Sequence, residues 1–283
     1  MNYKHSLILF CKSFRGDIDR AQVLWESIKK FNIDDIPFYF CIPRADKMIF
    51  RERLGEGSYI IVLDEDVTST VSTQSHFTQQ VFKMEFYNTG ISEFFFLADS
   101  DMYFIRPFTR EDFITKTGIP YMTLHECKDL LEYSHVIFKD NRIKEWFNAE
   151  RLDIMKFFGR EGKPYDYSGS ANLYSSEVFR GLYENVCKPK NLSFADLLKM
   201  KGGENTWYGE YALASGYHFY PCAPMFKTFH YPWQYDHSIK LGITESMIAD
   251  NYLGITMQGN WHLQFPSRKA PLHYTDDISL SYN

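Results

Sequence analysis

Two carboxylates, Asp99 and Asp101, separated by one small residue, close the apolar run Phe94 to Ala98. The run has no polar alternation, which suits a strand covered on both faces, although a short apolar run alone does not exclude a buried helical turn. Extended geometry carried through Ser100 puts the two aspartates on one side and the serine on the other. Carboxylates held that close repel each other unless a cation lies between them, and hard oxygen donors select Mg²⁺ or Mn²⁺ over softer metals. A cation so held is well suited to gripping a diphosphate. The tripeptide alone is common and more often marks a solvated turn; its place at the end of a buried strand favours function.

The elements that must position the pair follow a β-α-β rhythm. Strand-like segments at 6–10, 37–42, 58–63 and 93–98 alternate with helical patterns at 17–31 and 75–89. In the first helix Ile18, Ala21, Leu24, Ile28 and Phe31 recur at three- and four-residue intervals, with Asp17 at the N-terminus, so this face should cover a parallel sheet. Right-handed crossovers then gather the carboxyl ends of the strands on one edge, where such sheets bind ligands. Those ends are Cys11 to Phe14, Pro43-Arg44, Asp64-Glu65-Asp66 and Asp99-Ser100-Asp101. Beyond residue 118 the pattern changes to a strand-like IPYMTLH, a helical region at 128–158, and helices at 176–187, 193–200 and 205–215. The segment 159–172, GREGKPYDYSGSAN, reads as a mobile or ligand-facing loop. No internal repeat or linker divides the chain, so one continuous domain is expected.

Composition narrows the classes. A chain of 283 residues that is 45% hydrophobic and 24% charged can bury a full core, and its 25 Phe and 20 Tyr leave rings to line a cleft. The net charge of −5 is spread without a basic block, which excludes a nucleic-acid backbone as the expected partner. Five scattered cysteines without a C-x-x-C pair suggest neither a disulfide framework nor a thiolate zinc site, and point to a reducing compartment. The apolar run at the start is too short for a signal-peptide core and no later run approaches 18 residues, so a cytosolic protein is expected. Trp261, Phe265, Arg268 and Lys269 are the residues that would make peripheral contact with a membrane, against the plainer reading of a solvated tail.

Four segments, TQQVFKMEFYN, FFFLADSDMYFIRPF, YSGSANLYSSEVF and ENTWYGEYALASG, stand in this order over roughly residues 75–262. Their succession resembles GT-A type nucleotide-sugar glycosyltransferases, and more closely a bacterial polysaccharide glycosyltransferase family long catalogued as of unknown function and distantly glycogenin-like. The resemblance implies an α/β fold of GT-A (Rossmann-like) type: a mixed, mainly parallel sheet flanked by helices, with a helical C-terminal elaboration. It further implies a nucleotide-binding half at 1–110 and an acceptor-binding half at 111–283, a UDP-sugar donor, a Mn²⁺ or Mg²⁺ cofactor, and a glycan or lipid-linked glycan acceptor.

Residue by residue, the resemblance gives Asp99 and Asp101 to the metal, with His262 as third ligand ahead of His230, and sets Ser100 and Lys83 against the donor. Lys12, Ser13 and Arg20, beside the first strand, are expected at the nucleotide, and Asp166 in its loop at sugar hydroxyls. A catalytic base is sought in Glu204 and Glu210, which lie six residues apart on one helix and so do not share a face. Glu210 is preferred because the aromatic neighbours would desolvate it, while Trp207 and Tyr208 could stack on an acceptor sugar. For each of these residues an ordinary structural role competes. The expected reaction is metal-dependent and inverting, with a retaining one open. A sugar nucleotidyltransferase is disfavoured because CKSFRGDIDR holds a single glycine, and a noncatalytic carbohydrate-binding protein because the acidic residues are present.

Overall fold

The computed structural model describes residues 3–68, 75–128, 131, 141–168 and 171–259. Its main sheet has the order β3-β2-β1-β4-β7, built from β1 (His5–Lys12), β2 (Phe38–Ile42), β3 (Tyr59–Leu63), β4 (Ser92–Ala98) and β7 (Ala171–Ser175). β1 to β4 run parallel, and β7 pairs antiparallel with β4, setting Asn172 opposite Leu97. Continuous apolar strands form here because both faces are covered. Ile8, Phe10, Phe95 and Leu97 enter one core cluster, whereas Leu7, Leu9, Cys11, Phe94, Phe96 and Ala98 enter the other.

The helix α1 (Ile18–Phe31) buries Ile18, Ala21, Leu24, Trp25 and Ile28 on the second face, the stripe its spacing predicts. After α2 (Lys47–Leu54) and the single turn α3 (Asp64–Val67), α4 (Ser75–Glu85) lays Val81, Phe82 and Met84 on the first face. α4 thereby brings Lys83 toward the end of β4.

The chain does not continue extended through the aspartate pair. Residues 99–101 form a turn, in which the Met102 N–H donates to the Asp99 carbonyl at 3.1 Å. Beyond it β5 (Met102–Phe104) leaves the main sheet for a smaller one of order β5-β10-β9, with β9 (Phe226–Phe229) and β10 (Gly254–Met257). The Ser100 side is therefore not turned away from the aspartates, as an extended strand would require. The second half holds helices where its pattern predicts them, at 176–187, 193–200 and 205–215, and adds short strands that the pattern does not. β6 (Tyr121–Thr123) pairs with β8 (Tyr220–Cys222), and the segment read as a loop ends in β7. β6 falls in the strand-like IPYMTLH, whereas β8 carries too few residues to show a period. Helices Arg142–Phe157, Ser176–Leu182, Phe194–Met200 and Glu204–Ala214 cover the β7 side. No helix of the described residues is long and apolar enough to cross a membrane.

Candidate active cleft

A cleft of about 990 Å³ opens at the carboxyl ends of the parallel strands, lined among others by Lys12, Arg20, Lys83, Asp99, Ser100, Asp101, Asp166 and Glu204. Its floor is the turn after β4. Lys83 Nζ lies 2.9 Å from Asp99 Oδ1, 3.2 Å from Oδ2, and 3.4 Å from Glu204 Oε1. Burial opposes a charge on Lys83, but Asp99 and Glu204 outweigh it and raise its ammonium pKa above the ordinary range. Asp101 Oδ2 accepts the Gly259 N–H at 2.8 Å. Burial first, and the neighbouring Asp99 next, push the Asp101 carboxyl up to about 6. A carboxyl that resists ionisation beside a second carboxylate fits a hard divalent cation, which would relieve both causes. Asp99 and Asp101 thus fit as two of the oxygen donors such an ion would take.

Beside β1 the residues expected at a nucleotide divide. Lys12 is buried at the end of β1 and pairs with Asp64 at 3.0 Å, and Arg20 lies on α1 at the cleft wall, 3.7 Å from Asp17. A Cβ at Gly259 would meet Arg20 Nη1 at 2.5 Å, so the glycine lets the guanidinium close on the Asp101 turn. Ser13 is fully buried, its N–H donates to the Cys41 carbonyl, and it is not among the cleft-lining residues.

The opposite wall is a network anchored on Asp166. Its Oδ1 accepts from Arg151 Nη2 at 3.0 Å and from the Ser168 N–H and Oγ at 3.0 and 2.7 Å. Burial would raise this carboxyl; Arg151, His125 and Ser168 overcome that and hold it below the usual carboxylate range. Arg151 and His125 were not singled out in the sequence. Arg151 had a signal, since it occupies the apolar stripe Ile143, Phe147, Ile154 of its helix, where a charge is out of place. Asn172, Asn205 and Tyr174 form a further polar cluster, both Asn172 and Tyr174 donating to Asn205 Oδ1. His230 lines the cleft and is kept neutral by burial, its pKa lowered to about 4. His262 lies outside the described residues.

The two glutamates separate as their spacing requires, but it is Glu204 that reaches the cleft. Glu204 opens its helix, where its N–H donates to Gln80 Oε1 of α4 at 3.3 Å. Glu210 is fully buried, gripped by Arg160 Nε at 2.5 Å and Nη2 at 2.7 Å, and accepts the Tyr167 hydroxyl at 2.7 Å. It does not line the cleft, because the guanidinium rather than an acceptor occupies its polar edge. Nor do Trp207 and Tyr208 stand free to stack on a sugar. Both are packed in the core, with Trp207 Nε1 donating to the Lys201 carbonyl and Tyr208 accepting the Ser175 N–H.

A sequence family described only as a family of unknown function, DUF6492, matches residues 4–152. The chain belongs to that family. Among curated proteins none matches it. Among solved structures, the crystal structure of mouse xyloside xylosyltransferase 1 in its apo form superposes with a TM-score of 0.50 at 11% identity, over 90% of this chain and 98% of that one. At such identity the likeness establishes the fold, and the DUF6492 chain has the mixed, mainly parallel GT-A architecture.

Proposed function

We propose that this protein is a glycosyltransferase that moves a sugar from a nucleoside diphosphate, with UDP the expected nucleotide, to a hydroxyl of a glycan or lipid-linked glycan, within a single domain. The observation that carries the reading is the convergence of Asp99, Asp101, Lys83 and Glu204 in one cleft at the carboxyl edge of a GT-A sheet. Asp99 and Asp101 would hold the divalent ion, which when bound supplies positive charge against the departing diphosphate. The chain's own groups do the rest. Arg20 and Lys12 line the side of the cleft nearest α1, where their charges suit phosphate. Lys83, fixed between Asp99 and Glu204, keeps its proton and presents a fixed positive charge to the reacting centre.

In the transfer the acceptor oxygen bonds to the anomeric carbon while the bond from that carbon to the diphosphate oxygen breaks, its electron pair leaving on the phosphate. With Glu210 enclosed and Glu204 tied to Lys83, neither glutamate is free to act as an unencumbered base. We therefore assign the acceptor proton to the departing phosphate oxygen and retention to the product, with Glu204 stabilising positive charge on the sugar ring. A screen of nucleotide sugars with Mn²⁺, read by thermal shift and by release of free sugar, tests the transferase reading. Absence of any stabilising nucleotide sugar would overturn it. The anomeric configuration of the product, read by NMR, tests the mechanism; inversion would restore a base, with Glu204 the first to examine.

A further inference from the structure

His125, Cys127 and Asp166 gather in the cleft as a cluster separate from the aspartate turn. Two backbone hydrogen bonds clamp their segments together, His125 N–H to the Asp166 carbonyl at 3.1 Å and Asp166 N–H to the His125 carbonyl at 2.7 Å. One potential ligand atom from each residue lies within 4.8 Å of the others. Cys127 and Asp166 are buried and His125 is half-buried. Cys127 has φ of 50°, a left-handed conformation that non-glycine residues seldom adopt and that recurs at ligand sites. Asp166 commits Oδ1 to Arg151 and Ser168, while Oδ2 faces His125 Nε2 at 3.8 Å, too far for a hydrogen bond.

We propose that His125, Cys127 and Asp166 bind one Zn²⁺, with its fourth position open to the cleft. A thiolate with an imidazole selects zinc, whereas the all-oxygen pair of Asp99 and Asp101 selects harder ions, so the cleft holds two seats of different chemistry. Tetrahedral zinc needs its ligand atoms about 3.3–3.8 Å apart, so shifts of about 1 Å complete the site. Ligation through Nε2 puts the imidazole proton on Nδ1 and gives up two long contacts, Nε2 to the Ser168 carbonyl at 3.4 Å and the Cys127 N–H to Nδ1 at 3.3 Å. The thiol proton leaves to solvent on binding. Arg151 does not repel the ion unopposed, because Asp166 and Glu150, the latter 3.7 Å away, flank its guanidinium. With the thiolate added, the group of charges and a divalent ion is neutral. This site stands independently of the transferase reading.

The test is the metal content of the full chain, purified without chelator, and its absorption after replacement by Co²⁺. We expect one zinc per chain and a thiolate-to-cobalt charge-transfer band. The band should vanish in Cys127→Ser, zinc affinity should fall about 10-fold or more in His125→Gln, and both should survive Asp101→Asn. A wild-type chain with neither stoichiometric zinc nor the cobalt band overturns the proposal without recourse to any variant. So does a band that persists in Cys127→Ser, or stoichiometric zinc lost in Asp101→Asn, which would place the metal at the aspartate turn.

Discussion

Two places in this molecule set carboxylates against a cationic side chain, and they differ in what is left unsatisfied. At the end of β4, Lys83 serves Asp99 and Glu204 while Asp101 keeps a raised pKa beside a second carboxylate, all at a cleft wall. Around Glu210, Arg160 closes both oxygens, Tyr167 adds a third bond, and no part of the carboxylate meets solvent. The first arrangement keeps a buried carboxyl beside a second carboxylate, a cost that a cation can relieve. The second is closed to a ligand, since the carboxylate is fully buried and three bonds already hold it. Exposure and leftover electrostatic cost, rather than the presence of an acidic residue among aromatics, separate the candidate chemistry from the scaffold.

The sharpest way to break this comparison is to remove one carboxylate from each place. Asp101→Ala should lower nucleotide-sugar turnover by about 10²-fold to 10³-fold at saturating Mn²⁺, because the charge facing the diphosphate can no longer be held in place. Its melting temperature should not fall. Glu210→Gln should do the reverse, costing about 3 kcal/mol by leaving Arg160 without its counter-charge, a drop of roughly 5–10 °C. Turnover per folded molecule should stay within a few-fold. If Glu210→Gln instead kept its melting temperature and lost about 10²-fold or more in rate, Glu210 would be the base and the contrast would collapse.

The part of this contrast that the sequence could show is set by how local its causes are. The parallel strands and α1 were legible because burial on two faces leaves unbroken apolar runs, and burial on one leaves the Ile18-Ala21-Leu24-Ile28 stripe. The aspartate pair at the sheet edge followed from the same pattern. The enclosure of Glu210 is not legible in the sequence, because its partner Arg160 lies 50 residues away, in a segment with the composition of a loop. The surrounding helix Glu204–Ala214 buries eight of its eleven residues, Trp207 and Tyr208 included, so its rings are core. Its nearly unbroken aromatic and small-residue content was a usable sign. The strands β5, β8, β9 and β10 have three or four residues each, too few for any period.

The pH dependence of stability sharpens the first half of the comparison. Asp101 has a folded pKa of about 6 against an ordinary 3.8, so the folded chain holds this proton more tightly than the unfolded one. Its contribution is therefore favourable at low pH and is lost as pH rises from about 4 through 6. Asp101→Asn, which can still accept the Gly259 N–H, should be more stable than wild type at pH 7.5, by about 3 kcal/mol. The gap should close near pH 4. Mn²⁺ should stabilise the wild type and narrow the same gap. An Asn variant less stable at every pH would make Asp101 a structural carboxylate like Glu210.

The smallest expected effect tests the second half. Tyr167 packs against Gly209, whose added Cβ would fall 2.0 Å from the ring, and its hydroxyl donates to Glu210 Oε1 at 2.7 Å. Tyr167→Phe keeps the ring, its packing and the bidentate Arg160, and removes one hydrogen bond to a charged acceptor. Stability should fall by about 1–2 kcal/mol, below the loss in Glu210→Gln, with turnover unchanged. In a double variant with Glu210→Gln the Tyr167 loss should shrink, because the two changes act on one shared interaction. A Tyr167→Phe enzyme with wild-type stability and an altered pH–rate profile would show the hydroxyl tuning a reacting carboxylate, and Glu210 would belong with the cleft after all.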